Sequence, residues 1–188
     1  MSESWTGAIL VGGESRRMGC DKAFVELDGR TFLARAIDAI ESAGGEPLIV
    51  AHDGPAPFAR FGRVVVDPPG PRCAMRGLGT ALAAAVAPGP AIVLAVDYPR
   101  ADAASLAVLR ARLAAAPRAI AAVPREGDRL HPLFAAWRPE VAPLIEASLG
   151  RGELSLHRFL DAHERVLVDD LDRRLLINVN DEETRRAP

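Results

Sequence analysis

Cysteine is nearly missing from this chain: 188 residues hold only Cys20 and Cys73. Two thiols so far apart make neither a disulfide framework nor a zinc pattern, and both are expected to be free in a reducing compartment. Charge bias is missing too. With 23 Lys and Arg against 25 Asp and Glu, the net charge is −2. Nothing global draws the chain to nucleic acid or to an anionic membrane, so any anion must be held by a local site. No apolar stretch approaches the roughly 18 residues of a membrane span. The segment Met1–Thr6 carries Glu3 and no Lys or Arg, unlike the start of a secretory signal. A cytoplasmic protein without nucleic-acid or membrane partners is expected.

Two familiar phosphate-binding patterns are absent as well. Gly19 is followed by Cys20 rather than Lys, which excludes a P-loop. Gly12 and Gly13 are adjacent and Glu14 follows, which excludes the dinucleotide fingerprint Gly-x-Gly-x-x-Gly.

What is present reads as a globular α/β chain, 49% hydrophobic and 26% charged. Short apolar runs predict strands at Gly7–Val11, Pro47–His52, Arg63–Asp67, Ala91–Val96 and Ala119–Val123. Between them lie segments of helical period. Leu33, Ala36, Ile37 and Ile40 share one helical face behind a possible Thr31 N-cap, with Gly44-Gly45 as the stop. A second helix is expected from Gly77 to about Val86, and a third from Asp102 onward. After Pro124 the pattern changes. Arg125–Leu130 reads as an exposed loop, Leu133–Trp137 as a strand, and Glu140–Leu149 and Ser155–Ala162 as short helices. Arg165–Asp169 and Leu175–Val179 read as late strand pieces. No repeat or linker divides the chain, so one domain spanning 1–188 is expected, with a mainly parallel sheet covered on both faces.

The richest segment is Leu10–Ala23, Leu-Val-Gly-Gly-Glu-Ser-Arg-Arg-Met-Gly-Cys-Asp-Lys-Ala. A buried strand that breaks into paired glycines can offer backbone N–H groups to an anion. Arg16, Arg17 and Lys22 supply the charge a polyphosphate needs, Arg as a bidentate donor and Lys as a point charge. The unbroken run Ala91–Val96 ends in Asp97-Tyr98-Pro99, which puts a carboxylate at the carboxyl edge of the sheet, where open α/β folds bind ligands. Asp97 reads there as a candidate ligand-binding carboxylate, or as a helix N-cap or turn aspartate. Asp67 ends Val64-Val65-Val66 in the same way, and a turn-initiating role before Pro68 is equally open.

The spacing Gly12-Gly13-x-Ser15-x-Arg17-Met18-Gly19-x-Asp21-Lys22 resembles the signature loop of nucleotidyltransferases with a Rossmann-like fold, and most closely that of the molybdenum cofactor guanylyltransferases. The resemblance implies a doubly wound, mostly parallel sheet and transfer of GMP from GTP to the molybdopterin phosphate, with release of pyrophosphate. It implies Arg17, Lys22 and Asp97 as catalytic residues, Asp97 also as the Mg²⁺ ligand, and Leu10, Val11, Gly12, Gly13, Lys22, Asp67 and Asp97 around the nucleotide. Gly12-Gly13 favours guanine, because related cytidylyltransferases usually carry Ala-Gly there. His131-Pro132 and Asn178-Val179-Asn180 resemble family positions on the acceptor side, as does Leu149–Leu156. His131, Asn178 and Asn180 thereby become candidates for the acceptor, although His131 alone reads as a structural histidine, and for the Asn pair an ordinary place before a helix start is equally open. The resemblance divides the chain into a nucleotide part up to about residue 124 and an acceptor part over 125–188. It implies molybdopterin, or its molybdenum-loaded form, and other cofactor-biosynthesis proteins as partners.

The chain departs from the family at Gly70-Pro71-Arg72-Cys73-Ala74-Met75-Arg76-Gly77-Leu78, where a Gly-Pro-Leu centre is lost and two arginines enter. The departure leaves open a related enzyme using CTP or another phosphate acceptor, and a nucleotide-binding paralogue without turnover.

Overall fold

The computed structural model describes residues 5–12, 21–86 and 89–179. In chain order it runs β1 (Trp5–Leu10), a 3₁₀ turn (Lys22–Phe24), a small hairpin of β2 (Glu26–Leu27) and β3 (Arg30–Thr31), α1 (Phe32–Ser42), β4 (Gly45–Ala51) and β5 (Arg63–Val66). Then come α2 (Ala74–Ala83), β6 (Ala91–Ala95), α3 (Ala103–Ala114), β7 (Ala121–Glu126), β8 (Arg129–Leu130), β9 (Phe134–Trp137), α4 (Ala142–Gly150), α5 (Leu156–Asp161) and β10 (Val166–Val168).

Apart from the small hairpin, the strands form a sheet in the order β10-β7-β9-β6-β1-β4-β5, with β8 added to β7. β1 pairs in parallel with both β4 and β6, β4 with β5, and β7 with β10. β9 runs antiparallel between β6 and β7. The chain moves outward from β1 through β4 to β5 and then returns to lay β6 on the other side of β1. This reversal is the topological switch point at which open α/β sheets form a crevice.

Period two along the strands divides the interior. Ile9, Ile49, Ile92, Leu94, Phe134 and Ala136 face α1 and α3, whose Leu33, Ile40, Leu106 and Leu109 complete that layer. Ala8, Leu48, Val50, Val93, Ala135 and Trp137 face the other way, onto Met75 and Leu78 of α2, Ile145 of α4 and Phe159 of α5. Side chains buried on both faces explain why these strands read as unbroken apolar runs. Local signals set the helix starts. Thr31 accepts from Ala34 N–H at 3.2 Å, and Asp102 and Ser105 form a capping box on α3. Ser155 caps α5.

Three expectations change. The segment Arg125–Leu130 is not a loop throughout: β7 continues to Glu126, Gly127 turns at φ +57°, and Arg129–Leu130 pairs back as β8. The strand expected over Leu175–Val179 is absent. Asp172 accepts from Arg174 N–H at 2.9 Å and winds Arg173–Leu176 into a 3₁₀ turn, after which Val179 N–H donates to Asp97 O at 2.8 Å. α2 begins at Ala74, three residues before the expected Gly77.

Gly7 sets how closely α1 lies on β1. A Cβ there would stand 2.5 Å from Ile40 Cγ2 and 2.7 Å from Cγ1, and Ile40 is fully buried and β-branched. Gly7→Ala is therefore expected to lose about 1–3 kcal/mol by overpacking. Urea unfolding measures this, and an unchanged midpoint would mean that the α1–β1 spacing is not fixed at this residue.

Candidate functional site

The strand ladders continue one step past the strands and thereby build the site. Val96 N–H donates to Leu10 O at 3.1 Å, Val11 N–H to Val50 O at 3.0 Å, and Asp67 N–H to Ala51 O at 2.9 Å. Four consecutive strand ends, β6, β1, β4 and β5, therefore deliver Asp97, Gly12, His52 and Asp67 to one edge. They line a cleft of about 400 Å³ together with Leu10, Val11, Lys22, Arg72 and Gly77.

Lys22 reaches this cleft because Asp21 caps the 3₁₀ turn that carries it, accepting from Ala23 N–H at 2.9 Å. Lys22 Nζ donates to Asp97 Oδ2 at 3.3 Å, and the two side chains are only 12% and 18% exposed. The other carboxylate oxygen of Asp97 is buried and has no partner among the described residues. Those residues contain no group of three or more His, Cys, Asp or Glu able to cage a metal ion. One carboxylate with a spare hard oxygen suits a divalent cation that brings the rest of its shell as water and phosphate oxygens.

At the other end of the cleft, His52 Nδ1 meets Asp67 Oδ2 at 3.2 Å, and Asp67 Oδ1 is buried without a partner among the described residues. Outside this pair a second contact ties the same two loops, with Arg72 Nη1 donating to Asp53 Oδ2 at 3.4 Å. The two arginines of the departing segment thus go different ways. Arg72 stays at the cleft, whereas Arg76 is buried beneath Gly70 and lies 4.0 Å from Glu146 of α4.

A second cavity of about 480 Å³ opens past Asp97 and shares Ala74, Ala95 and Leu133 with the first. Tyr98, Arg129, Ser155, His157 and Asn178 contribute its polar lining. Asn178 Oδ1 is buried with no partner among the described residues. His131 does not line this cavity; Leu130 and Pro132 do. Its ring is fully buried and reaches the site through Tyr98, whose hydroxyl lies 3.1 Å from Nδ1. Burial raises the Tyr98 hydroxyl above its usual range, against the opposing hydrogen bond from Asn178.

Of the residues expected from sequence, Leu10, Val11, Gly12, Lys22, Asp67 and Asp97 meet at the first cleft, and Asn178 lies in the second cavity. Gly13, Arg16, Arg17, Cys20 and Asn180 fall outside the described residues. Sequence reasoning passed over His52, Arg129 and His157. His52 carried a usable signal, since it ends an apolar strand as Asp67 and Asp97 do.

Burial also pushes the His131 imidazole below its ordinary 6.5, and the nearby Arg129 charge acts in the same direction while Glu126 opposes it. The unfolded chain then takes up this proton before the folded chain does. The resulting stability is complete above about pH 6.5 and is lost as pH falls below it. Replacing His131 by Gln is expected to flatten the decline in urea midpoint between about pH 7 and pH 5. An identical slope in both proteins would contradict a neutral, buried His131.

Comparison with known proteins gives the chain's relatives. The family model for the MobA-like NTP transferase domain matches residues 7–166. A probable molybdenum cofactor guanylyltransferase of Opitutus terrae is 37% identical over 159 residues, covering 83% of this chain and 77% of that protein. A molybdenum cofactor guanylyltransferase of Cereibacter sphaeroides is 32% identical over 177 residues, covering 93% and 90%. The crystal structure of molybdopterin-guanine dinucleotide biosynthesis protein A from Archaeoglobus fulgidus has the same fold, with a TM-score of 0.82 at 21% identity over 96% of this chain and 95% of that one. The chain belongs to the MobA-like NTP transferase family.

Proposed function

We propose that this chain is a guanylyltransferase that moves GMP from GTP to the terminal phosphate of molybdopterin and releases pyrophosphate. The observation that carries the reading is the Lys22–Asp97 contact in the first cleft, where Asp97 also lines the second cavity and so stands at the junction of the two. A cation and a carboxylate at such a junction suit a reaction in which two phosphate-bearing substrates meet. The names of the relatives supply the nucleotide and the acceptor.

In this reading the nucleotide part, up to about residue 124, holds GTP in the first cleft. The acceptor part, from about residue 125, contributes Arg129, His157 and Asn178 to the second cavity. An oxygen of the acceptor phosphate attacks the α-phosphorus in line, and the bond from that phosphorus to the bridging oxygen breaks as pyrophosphate leaves. A phosphate monoester is already anionic, so positioning and charge neutralisation matter more than a general base. Lys22 neutralises the leaving pyrophosphate, and Arg17, Gly13 and Arg16 are assigned to the same triphosphate by the motif they share with Lys22. Asp97 would hold Mg²⁺, which when bound supplies Lewis-acid polarisation of the phosphate oxygens. Asn178 and Asn180 are assigned to the pterin, and His131 supports that wall from behind through Tyr98. The free Cys73 and the absence of any helix among the described residues long and apolar enough to cross a membrane agree with work in the cytoplasm, beside the proteins that supply and receive the cofactor.

The departing segment keeps a different acceptor or base in play. Pyrophosphate release measured over a nucleotide panel, with molybdopterin or a sugar phosphate, decides among them. GTP with molybdopterin is the pair expected to turn over. Preference for CTP, turnover with the sugar phosphate alone, or tight GTP binding without turnover would each reject the reading. Lys22→Ala and Asp97→Ala are each expected to lower turnover on the order of 10²–10³-fold, the usual loss for one preorganised charge. Near-wild-type rates in either variant would count against these roles.

A further inference from the structure

The His52–Asp67 pair does more than close one end of the cleft. We propose that His52 reads the exocyclic 2-amino group of the guanine base through Nε2, which makes it a specificity-determining residue. The inference rests on the guanylyl-transfer reading and deepens it.

The argument starts from which nitrogen carries the proton. An ionised carboxylate can only accept, so in the 3.2 Å contact with Asp67 Oδ2 the Nδ1 atom of His52 is the donor. With Nδ1 as the donor, the imidazole base carries its lone pair on Nε2, which has no partner among the described residues. Asp67 Oδ1 is likewise unpartnered among them. The pair therefore holds two acceptors without a partner among the described residues, one on the ring and a buried one on the carboxylate, and both residues line the cleft.

Guanine is the common nucleobase with two adjacent donors on one edge, N1–H and the 2-amino group. Adenine offers an acceptor beside a donor, and cytosine places an acceptor at N3. Two acceptors therefore match guanine and leave the other bases with an unpaired contact, which is the strongest form of rejection a polar site can make.

The surroundings fit a flat base. Gly12, at φ +90°, lies against His52: a Cβ there would stand 3.4 Å from His52 N and from His52 Cβ. At Gly77 a Cβ would stand 3.4 Å from Leu10 Cδ1 and 4.0 Å from Asp67 Oδ2. Both glycines keep side-chain bulk away from the pair. The exposed Arg72–Asp53 contact links the same two loops outside the pair.

Inosine triphosphate isolates the contact, because its base keeps N1–H and lacks the 2-amino group. GTP and ITP are compared for the wild type, His52→Ala and His52→Phe, by calorimetric affinity with Mg²⁺ and by kcat/KM for pyrophosphate release. Thermal melts establish that each variant is folded, and His52→Phe keeps the ring volume should the alanine variant fail. The wild type is expected to favour GTP over ITP by about ten- to a hundredfold, the range of one lost hydrogen bond in a built site. Both variants are expected to lose that preference, with GTP weakened and ITP changed less than about twofold. A wild type that prefers GTP, together with a folded His52→Phe that keeps the full GTP-to-ITP ratio, overturns this inference alone. So does an equal loss for both nucleotides, which would mean a merely structural ring. A wild type that prefers CTP overturns the guanylyl reading beneath it.

Discussion

The parallel pairing of β1 with β6 is the constraint on which the site depends. Leu10 faces Ala95 at the end of that ladder, and the next bond, Val96 N–H to Leu10 O, brings the two chains out of the sheet side by side. Gly12 and Asp97 become neighbours for this reason, although 85 positions separate them in the numbering. The reversal of strand order there leaves a gap that no crossover covers. The buried faces of Ile9, Leu94 and Val93 hold the register, because a slip of one residue would turn every apolar side chain to the opposite layer.

Charge placement follows from that geometry. Lys22 and Asp97 lie mostly out of solvent, where an ion pair interacts more strongly than at an exposed surface but also loses more hydration. The pair keeps both charges neutralised in the free protein and leaves one Asp97 oxygen spare. In the proposed reaction a triphosphate would take Lys22 from Asp97, and a cation would take its place on the carboxylate. The same logic recurs at the other end of the cleft, where His52 occupies one oxygen of Asp67 and the second stays unpartnered among the described residues.

The core strands and the edge carboxylates were legible because burial on both faces writes a plain apolar run, and Asp67 and Asp97 each terminate one. The helix start at Thr31 was legible through capping chemistry, and the starts expected at Asp102 and Ser155 fall on residues that cap their helices. The C-terminal region was harder. Leu175–Val179 has the composition of a strand, yet the Asp172 side chain captures a backbone N–H and winds a turn instead. The β7–β8 hairpin escaped because its residues are polar and its signal reduces to Gly127. His131 became an acceptor candidate only through the family resemblance and read as a structural histidine on its own. Only packing reveals that its ring lies behind Tyr98, 33 residues away in sequence. His52 belongs to no motif at all, and its meaning depends on Asp67 arriving beside it from the next strand.

A crystal structure of this chain with GTP and Mg²⁺ tests the central claim most directly. The account predicts the triphosphate at Gly12 and Lys22, the metal on Asp97, and the guanine edge against His52 and Asp67. A base lodged in the Tyr98–Asn178 cavity, or a triphosphate bound away from the β1–β6 edge, would contradict it.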